Sequence, residues 1–309
     1  MPLHDNKRAR LLPNATLEAL DNDLLIRCAS YLDVEGLVQL GRTSSRFGIP
    51  QAGERRSLVN EAAHRRFVQG ATDEERRRLP KYEDESDIGL YRALEQLRKP
   101  LCFDELVGGG FDPQEHPASV TCTGRSRWST AMSGHVMRGG RHFAEFAITS
   151  DKSIRHIVQL GVIRPVSLTN NIDLEDDWKW RVNPACVSSK NKPVVAEKLR
   201  SQRTATWGDS TVHCCTYSSS HGHRDCTDWH NDRGFSYWQG SEPLQGNGRV
   251  GLLLDLDEGT LSVFKFGSNL GVMKEGLGGE YRWFVAVSSP CTISISRVLG
   301  PGGYSWLVD

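Results

Sequence analysis

The sequence predicts an α+β multidomain chain, with an N-terminal α-helical segment and a C-terminal all-β sandwich. Three observations carry this. Between Leu17 and Leu97, apolar residues recur at i, i+3 and i+4, the spacing of one helix face. After Leu101, the chain turns into short β-branched and aromatic runs bounded by glycines. The clearest such run is 249–272, RVGLLLDLDEGTLSVFKFGSNLGV, which reads as two strands about Asp257-Glu258-Gly259 and a further turn at Gly267-Ser268-Asn269.

The composition fits this class. The 309 residues allow two domains. With 38 basic and 38 acidic residues the formal charge is zero, so no global field favours nucleic acid or an anionic membrane. No apolar run approaches the roughly 18–20 residues that span a bilayer. The basic start MPLHDNKRAR lacks a following apolar stretch, and the eight cysteines then read as reduced thiols of a cytoplasmic or nuclear protein.

In chain order, residues 1–13 are a polar, mobile leader. Leu17, Leu20, Leu24, Leu25, Cys28 and Leu32 form the first stripe, with Asp21 or Asn22 placed to cap it. Asp33 opens a second helix carrying Leu37, Leu40 and Phe47, which fades at Thr43-Ser44-Ser45. Two helices this short need a third element or a partner chain. The run 57–71 puts Leu58, Ala62, Ala63 and Phe67 on one face, Pro80 breaks the pattern, and Ile88, Tyr91, Leu94 and Leu97 resume it up to Pro100.

The stretch 20–47, LDNDLLIRCASYLDVEGLVQLGRTSSRF, resembles the F-box, a helical segment that docks on the Skp1 adaptor of cullin-type ubiquitin ligases. Leu20-Asp21 stands where Leu-Pro usually opens the motif. The resemblance implies an adaptor-binding set of Leu20, Leu24, Leu25, Leu32, Leu37, Leu40 and Phe47. It places an F-box-like segment at 14–68 and a helical linker at 69–100.

In the β half, LCFDELVGGG leads to two runs about Gly139-Gly140, and 154–165 gives the next strand. A long polar insert at about 166–206 follows, of the kind that is functional or disordered. TWGDSTVHCCTYSS is another strand, then a Gly/His/Asp-rich turn region, the 249–272 hairpin, YRWFVAVSS and TISISR, with 299–309 as a tail. RHFAEFAI, QLGVIRP, the 250–272 run and GLGGEYRWFVAV with TISI are similar to the SPRY domain, the core of B30.2, over 101–298. SPRY domains recognise protein or peptide targets through loops at one end of a sandwich. The resemblance therefore nominates Arg164, Pro165, Thr206, Trp207, Ser289 and Pro290, with Arg125 and Arg127 as weaker candidates. If these are surface anchors, replacing Arg164 and Trp207 by alanine leaves the melting transition nearly unchanged.

Other chemistry finds little support. His213, Cys214, Cys215, His221, His223, Cys226 and His230 are zinc-type ligands without zinc spacing, and strand alternation should send Cys214 and Cys215 to opposite faces, one buried and one outward. Asp173, Glu175, Asp176 and Asp177 read as a solvated loop. No nucleophile elbow or phosphate loop occurs, so no catalytic residue, metal or cofactor is expected. The expected function is a non-enzymatic adaptor: a Skp1-cullin-F-box-type substrate receptor whose sandwich holds a protein target, with no nucleic-acid or membrane partner. The alternative is a SPRY interaction or scaffold protein outside ubiquitin ligases. A zinc-dependent structural or nucleic-acid-binding protein is weaker still.

Overall fold

Asp33 fixes the start of the second helix, because its carboxylate accepts a 2.8 Å hydrogen bond from the Gly36 amide. The same logic sets other boundaries in the computed structural model, which describes residues 20–123, 127–150, 157–231 and 234–297. Ser44 caps a short helix through the Arg46 amide, and Ser57 caps a long one through the Asn60 amide. The chain divides into two compact units, Met1–Thr72 with Lys81–Glu95, and Asp73–Pro80 with Gln96–Asp309. The expected leader, Leu17 and the 299–309 tail lie outside the described residues.

The first unit is helical, as expected: α1 (Asn22–Ala29), α2 (Val34–Thr43), α3 (Ser45–Gly48), α4 (Leu58–Gly70) and the beginning of α6 (Asp87–Arg98), with α5 (Asp73–Arg78) in the second unit. α4 supplies the third element that α1 and α2 require. Leu25, Ile26, Ala29, Leu37 and Phe47 are buried together with Val59, Ala62 and Ala63. Asp87 is a buried carboxylate bound by Arg56 at 2.9 Å, Lys81 at 2.7 Å and His64 at 3.3 Å. Burial pushes its pKa up, but the Lys81 and Arg56 charges outweigh burial and hold it below the ordinary aspartate value.

The second unit is a sandwich of two antiparallel sheets. β1 (Glu105–Val107), β3 (Ser129–Met132), β12 (Arg282–Val287), β5 (Val158–Ile163), β6 (Cys214–Ser218), β7 (Arg224–Thr227) and β8 (Gly234–Ser236) form the first, in that order. The second runs β11 (Ser268–Glu275), β10 (Thr260–Lys265), β9 (Gly248–Asp255), β4 (Arg141–Thr149), β13 (Cys291–Ser296), β2 (Ser119–Cys122). β4 alternates as the sequence pattern demands, with His142, Ala144, Phe146 and Ile148 inward. The 249–272 stretch is a three-strand meander rather than a hairpin and a loop, because Ser268 already starts β11. The second turn is Phe266-Gly267, both at positive φ (48° and 83°), the two-residue form that matches strand twist. Strands β2, β3, β7 and β8 fall where the sequence reading placed loops and turns; each is only three or four residues long.

The 166–206 insert is built in rather than looped out. It contains a 3-10 turn at Pro184–Cys186, α7 (Pro193–Arg200) and a 3-10 turn at Ala205–Trp207. Val166, Leu168, Ile172, Trp178, Val182, Ala185, Val195 and Leu199 pack with Cys214, Trp229, Phe284 and Ala286 as a second core on the outer face of the seven-stranded sheet. Trp178 Nε1 donates to Leu168 O at 2.9 Å, Trp229 Nε1 to Pro184 O at 3.1 Å, and Thr130 Oγ1 to Val182 O at 2.7 Å. This overturns one expectation. Cys214 and Cys215 do point to opposite faces, but both are fully buried, since the insert covers the face that would have met water. All eight cysteines are thiols.

Candidate interaction surfaces

The adaptor-type leucines separate into two faces. Leu25, Leu37 and Phe47 are interior and hold the helical unit together, so they are not contact residues. Leu20 and Leu40 are half-buried. Leu24 (47% exposed), Tyr31 (78%) and Leu32 (37%) remain outside with Cys28. Positions 24, 28, 31 and 32 lie at i, i+4, i+7 and i+8, along and just past one side of α1. Ile49, beyond α3, is also exposed.

In the sandwich, the nominated loops do not meet. Ile163 pairs with Arg282 and Cys214 at one end of β5, whereas Val158 pairs with Val287 at the other. A strand of this length separates them by roughly 17–20 Å. Arg164, Pro165, Thr206 and Trp207 lie at the Ile163 end. Ser289 and Pro290 follow Val287, and Arg127 precedes Ser129, which pairs with Val287, so these three lie at the opposite end. Arg125 lies outside the described residues.

Nor are the strongest nominees surface residues. Arg164 is fully buried: Nη1 donates to Gly278 O (2.7 Å) and Glu280 O (3.1 Å), and Nη2 to Ser210 O (3.1 Å). Its guanidinium lies 4.2 Å from the Tyr281 ring centroid and 5.6 Å from that of Trp207, and burial lowers its pKa from the ordinary arginine value. Trp207 is buried against His213 and Trp229, with centroids 5.2 and 6.0 Å away. Thr206 is tied through Oγ1 to Glu280 Oε2 at 2.7 Å, and Pro165 is half-buried. This end is a latch that closes the sandwich. At the other end Ser289 is buried and accepts from the Ile157 amide at 2.8 Å, and Pro290 is half-buried.

The open surface is at the Val158 end and runs onto the insert. Two adjoining hollows of about 560 and 570 Å³ share Arg181, Asn191 and Lys192. Trp128, Ile157 and Asn183 line the first, and Lys179 and Val194 line the second. Ile157 and Val194 are 44% and 48% exposed. Lys192 donates to Trp178 O at 2.6 Å and sits over the Trp178 ring. Burial lowers its pKa, and repulsion from Arg181 and Lys179 adds to the shift. Arg127, which is exposed, lies over the Trp180 ring at 5.5 Å. Lys179 and Trp180 both sit at positive φ (52° and 57°), which lets the chain reverse there. Of these residues only Arg127 was nominated from the sequence, although Trp178-Lys179-Trp180-Arg181 already interleaves aromatic and basic side chains.

The remaining clusters are structural. Asp173 Oδ1 accepts from the Glu175 and Asp176 amides, and Asp177 is paired with Lys198 at 2.6 Å. Cys215 faces the inter-sheet core, Cys214 the second core, and His213 the Trp207–Trp229 pair. Among the described residues no group of three or more His, Cys, Asp or Glu is placed to hold a metal ion, and no helix is long and apolar enough to cross a membrane.

No family model matches the chain, and no curated protein matches it. Solved structures do. The chain is similar to the SPRY domain of human HERC1 (16% identity, TM-score 0.39), over 61% of this chain and 98% of that one. The TRIM65 PSpry domain is similar at 14% identity and TM-score 0.39, over 65% and 93%. A human SPRY domain is similar at 10% identity and TM-score 0.37, over 63% and 98%.

Proposed function

We propose that this chain is a non-enzymatic, two-part interaction adaptor, and specifically a substrate receptor of a Skp1-cullin-F-box-type ubiquitin ligase. The helical unit would hold the Skp1-type adaptor and the sandwich a protein or peptide target, while other subunits supply the chemistry. The contribution of this chain is then proximity, which raises the effective concentration of one bound partner near the other.

One observation carries the proposal. Leu24, Tyr31 and Leu32 lie outside the helical unit although Leu25, Leu37 and Phe47 already fill its interior. An apolar surface of that kind is stabilised by a partner at about 25 cal/mol per Å² covered. The leucine spacing that resembles an F-box thus splits into residues that fold the unit and residues free to dock.

The test is retention of a purified Skp1-type adaptor on the immobilised full chain, comparing wild type with the Leu24→Arg, Leu32→Arg double variant. Wild type should retain the adaptor; the double variant should not, with helix content and melting unchanged. Failure of the wild type to retain it ends the ligase reading and leaves an interaction or scaffold role for the sandwich.

A further inference from the structure

We infer that the groove shared by the insert and the Val158 end of the sandwich binds an acidic peptide segment, with carboxylates set beside an aliphatic or aromatic residue. This rests on the reading of the sandwich as a target-binding module. It places the site at the opposite end from Arg164 and Trp207, and gives the target a chemistry.

The charge balance of the groove is the first ground. Lys179, Arg181 and Lys192 line it, and none has a carboxylate within ion-pair distance among the described residues. Of the two acidic residues that line it, Asp177 is already neutralised by Lys198, and only Asp176 remains to offset the cations. Three cations held around one hollow repel each other: burial is the main cause of the lowered Lys192 pKa, and repulsion from Arg181 and Lys179 lowers it further. An anionic ligand relieves that repulsion.

The apolar surface is the second ground. Ile157 and Val194 are exposed on the walls, and Trp128, half-buried, lines the first hollow with Ile157. A free inorganic anion would leave these residues in water, whereas a peptide covers them while its carboxylates meet Arg181 and Lys179. Asn183 and Asn191 brace the groove rather than bind: Asn183 Nδ2 donates to Gln159 Oε1 at 2.7 Å and its Oδ1 accepts from the Ala185 amide, while Asn191 Nδ2 donates to Cys186 O at 2.6 Å and its Oδ1 accepts from the Ser188 amide. The scaffold is preorganised: the wall residues stand on the second core, and Val182 N and O are bonded to Trp128 O and Thr130 Oγ1.

The experiment is selection of a random peptide library on the full-length chain, followed by titration of the selected peptides against wild type, Arg181→Glu and Lys179→Asn. Both side chains are exposed and bond to nothing that holds the fold, and asparagine tolerates the positive φ of position 179. The expected result is peptides enriched in adjacent Asp or Glu beside a Leu, Ile, Val or aromatic residue. Their Kd should rise at least about tenfold with Arg181→Glu, equivalent to about 1.4 kcal/mol, and should rise with salt. Peptides without acidic enrichment, or with a Kd indifferent to both substitutions, overturn the groove assignment and leave the sandwich a binding module that works elsewhere. Tighter binding of a phosphoserine peptide or a labelled single-stranded oligonucleotide than of the selected acidic peptides overturns the assigned ligand class. No enrichment above bare matrix counts against both the groove and the target-binding reading.

Discussion

Replacing Arg164 should destabilise the sandwich rather than merely unbind a target. Its guanidinium makes three hydrogen bonds to main-chain oxygens of Ser210, Gly278 and Glu280, stacks on Tyr281, and is fully buried. Bonds from a charged donor contribute about 1.5–3 kcal/mol each. Relief of the buried charge offsets part of that loss, while three carbonyls are left without their donor. Removing one side of such an arrangement typically costs about 3–5 kcal/mol net, which is the magnitude expected for Arg164→Ala. Arg164→Lys keeps the charge but not the fork, and should fall between alanine and wild type. Urea unfolding followed by tryptophan fluorescence reports this directly, since Trp207 lies beside the guanidinium. A midpoint shift worth less than about 1 kcal/mol, together with loss of a selected target peptide, would show that Arg164 is a contact residue and that the latch is misread.

Three other predictions follow from single features. Burial holds His135 and His213 at pKa about 4 and His142 well below its ordinary value, so all three stay neutral when folded. The unfolded chain binds their protons first, so stability is lost as pH falls below about 6.5, by about 2 kcal/mol each for His135 and His213 at pH 5, with His142 acting in the same direction. Urea midpoints that do not move between neutral pH and about pH 5 would contradict this. A Cβ on Gly161 would sit 2.0 Å from Cys215 O and 2.8 Å from Thr216 Cα, so Gly161→Ala should destabilise by at least about 2 kcal/mol by forcing β5 from β6. An unchanged melting temperature would mean that those strands sit further apart. Phe266 occupies the left-handed turn position where asparagine is tolerated and its ring is exposed, so Phe266→Asn should stabilise by about 0.5–1 kcal/mol. A lower melting temperature would mean that the ring's packing over Gly248 outweighs backbone strain.

Much of the frame was legible because it rests on local signals. Asp33 caps where its position says it should, β4 alternates, and Gly259 takes the positive φ that its turn requires. The strands that escaped notice are short and draw their stability from neighbours: β2 is fixed by pairing to β13, and β7 by pairing to β6. The second core was not legible. β5 reads VQLGVI: Val158, Leu160 and Val162 face the inter-sheet core, but its other face is Gln159, Gly161 and Ile163, a mixed face that does not by itself demand a cover. Its burial comes from the insert, whose polarity suggested a solvated loop. The site was harder. Arg164 and Trp207 are the residue types of an interface, but the same types serve as buried latches, and only three-dimensional burial separates the two roles. Opposite ends of one strand are likewise indistinguishable in sequence until the loops are assigned to strand ends.

The most direct measurement is whether one chain holds both partners at once. Light scattering on a gel-filtered mixture of full-length chain, Skp1-type adaptor and a labelled acidic peptide from the selection should give the mass of one chain plus one adaptor, with the label co-eluting. Leu24→Arg with Leu32→Arg should remove only the adaptor, and Arg181→Glu only the label. A peak that never contains both, or either substitution removing both partners from a chain that remains folded, would contradict the bridging role.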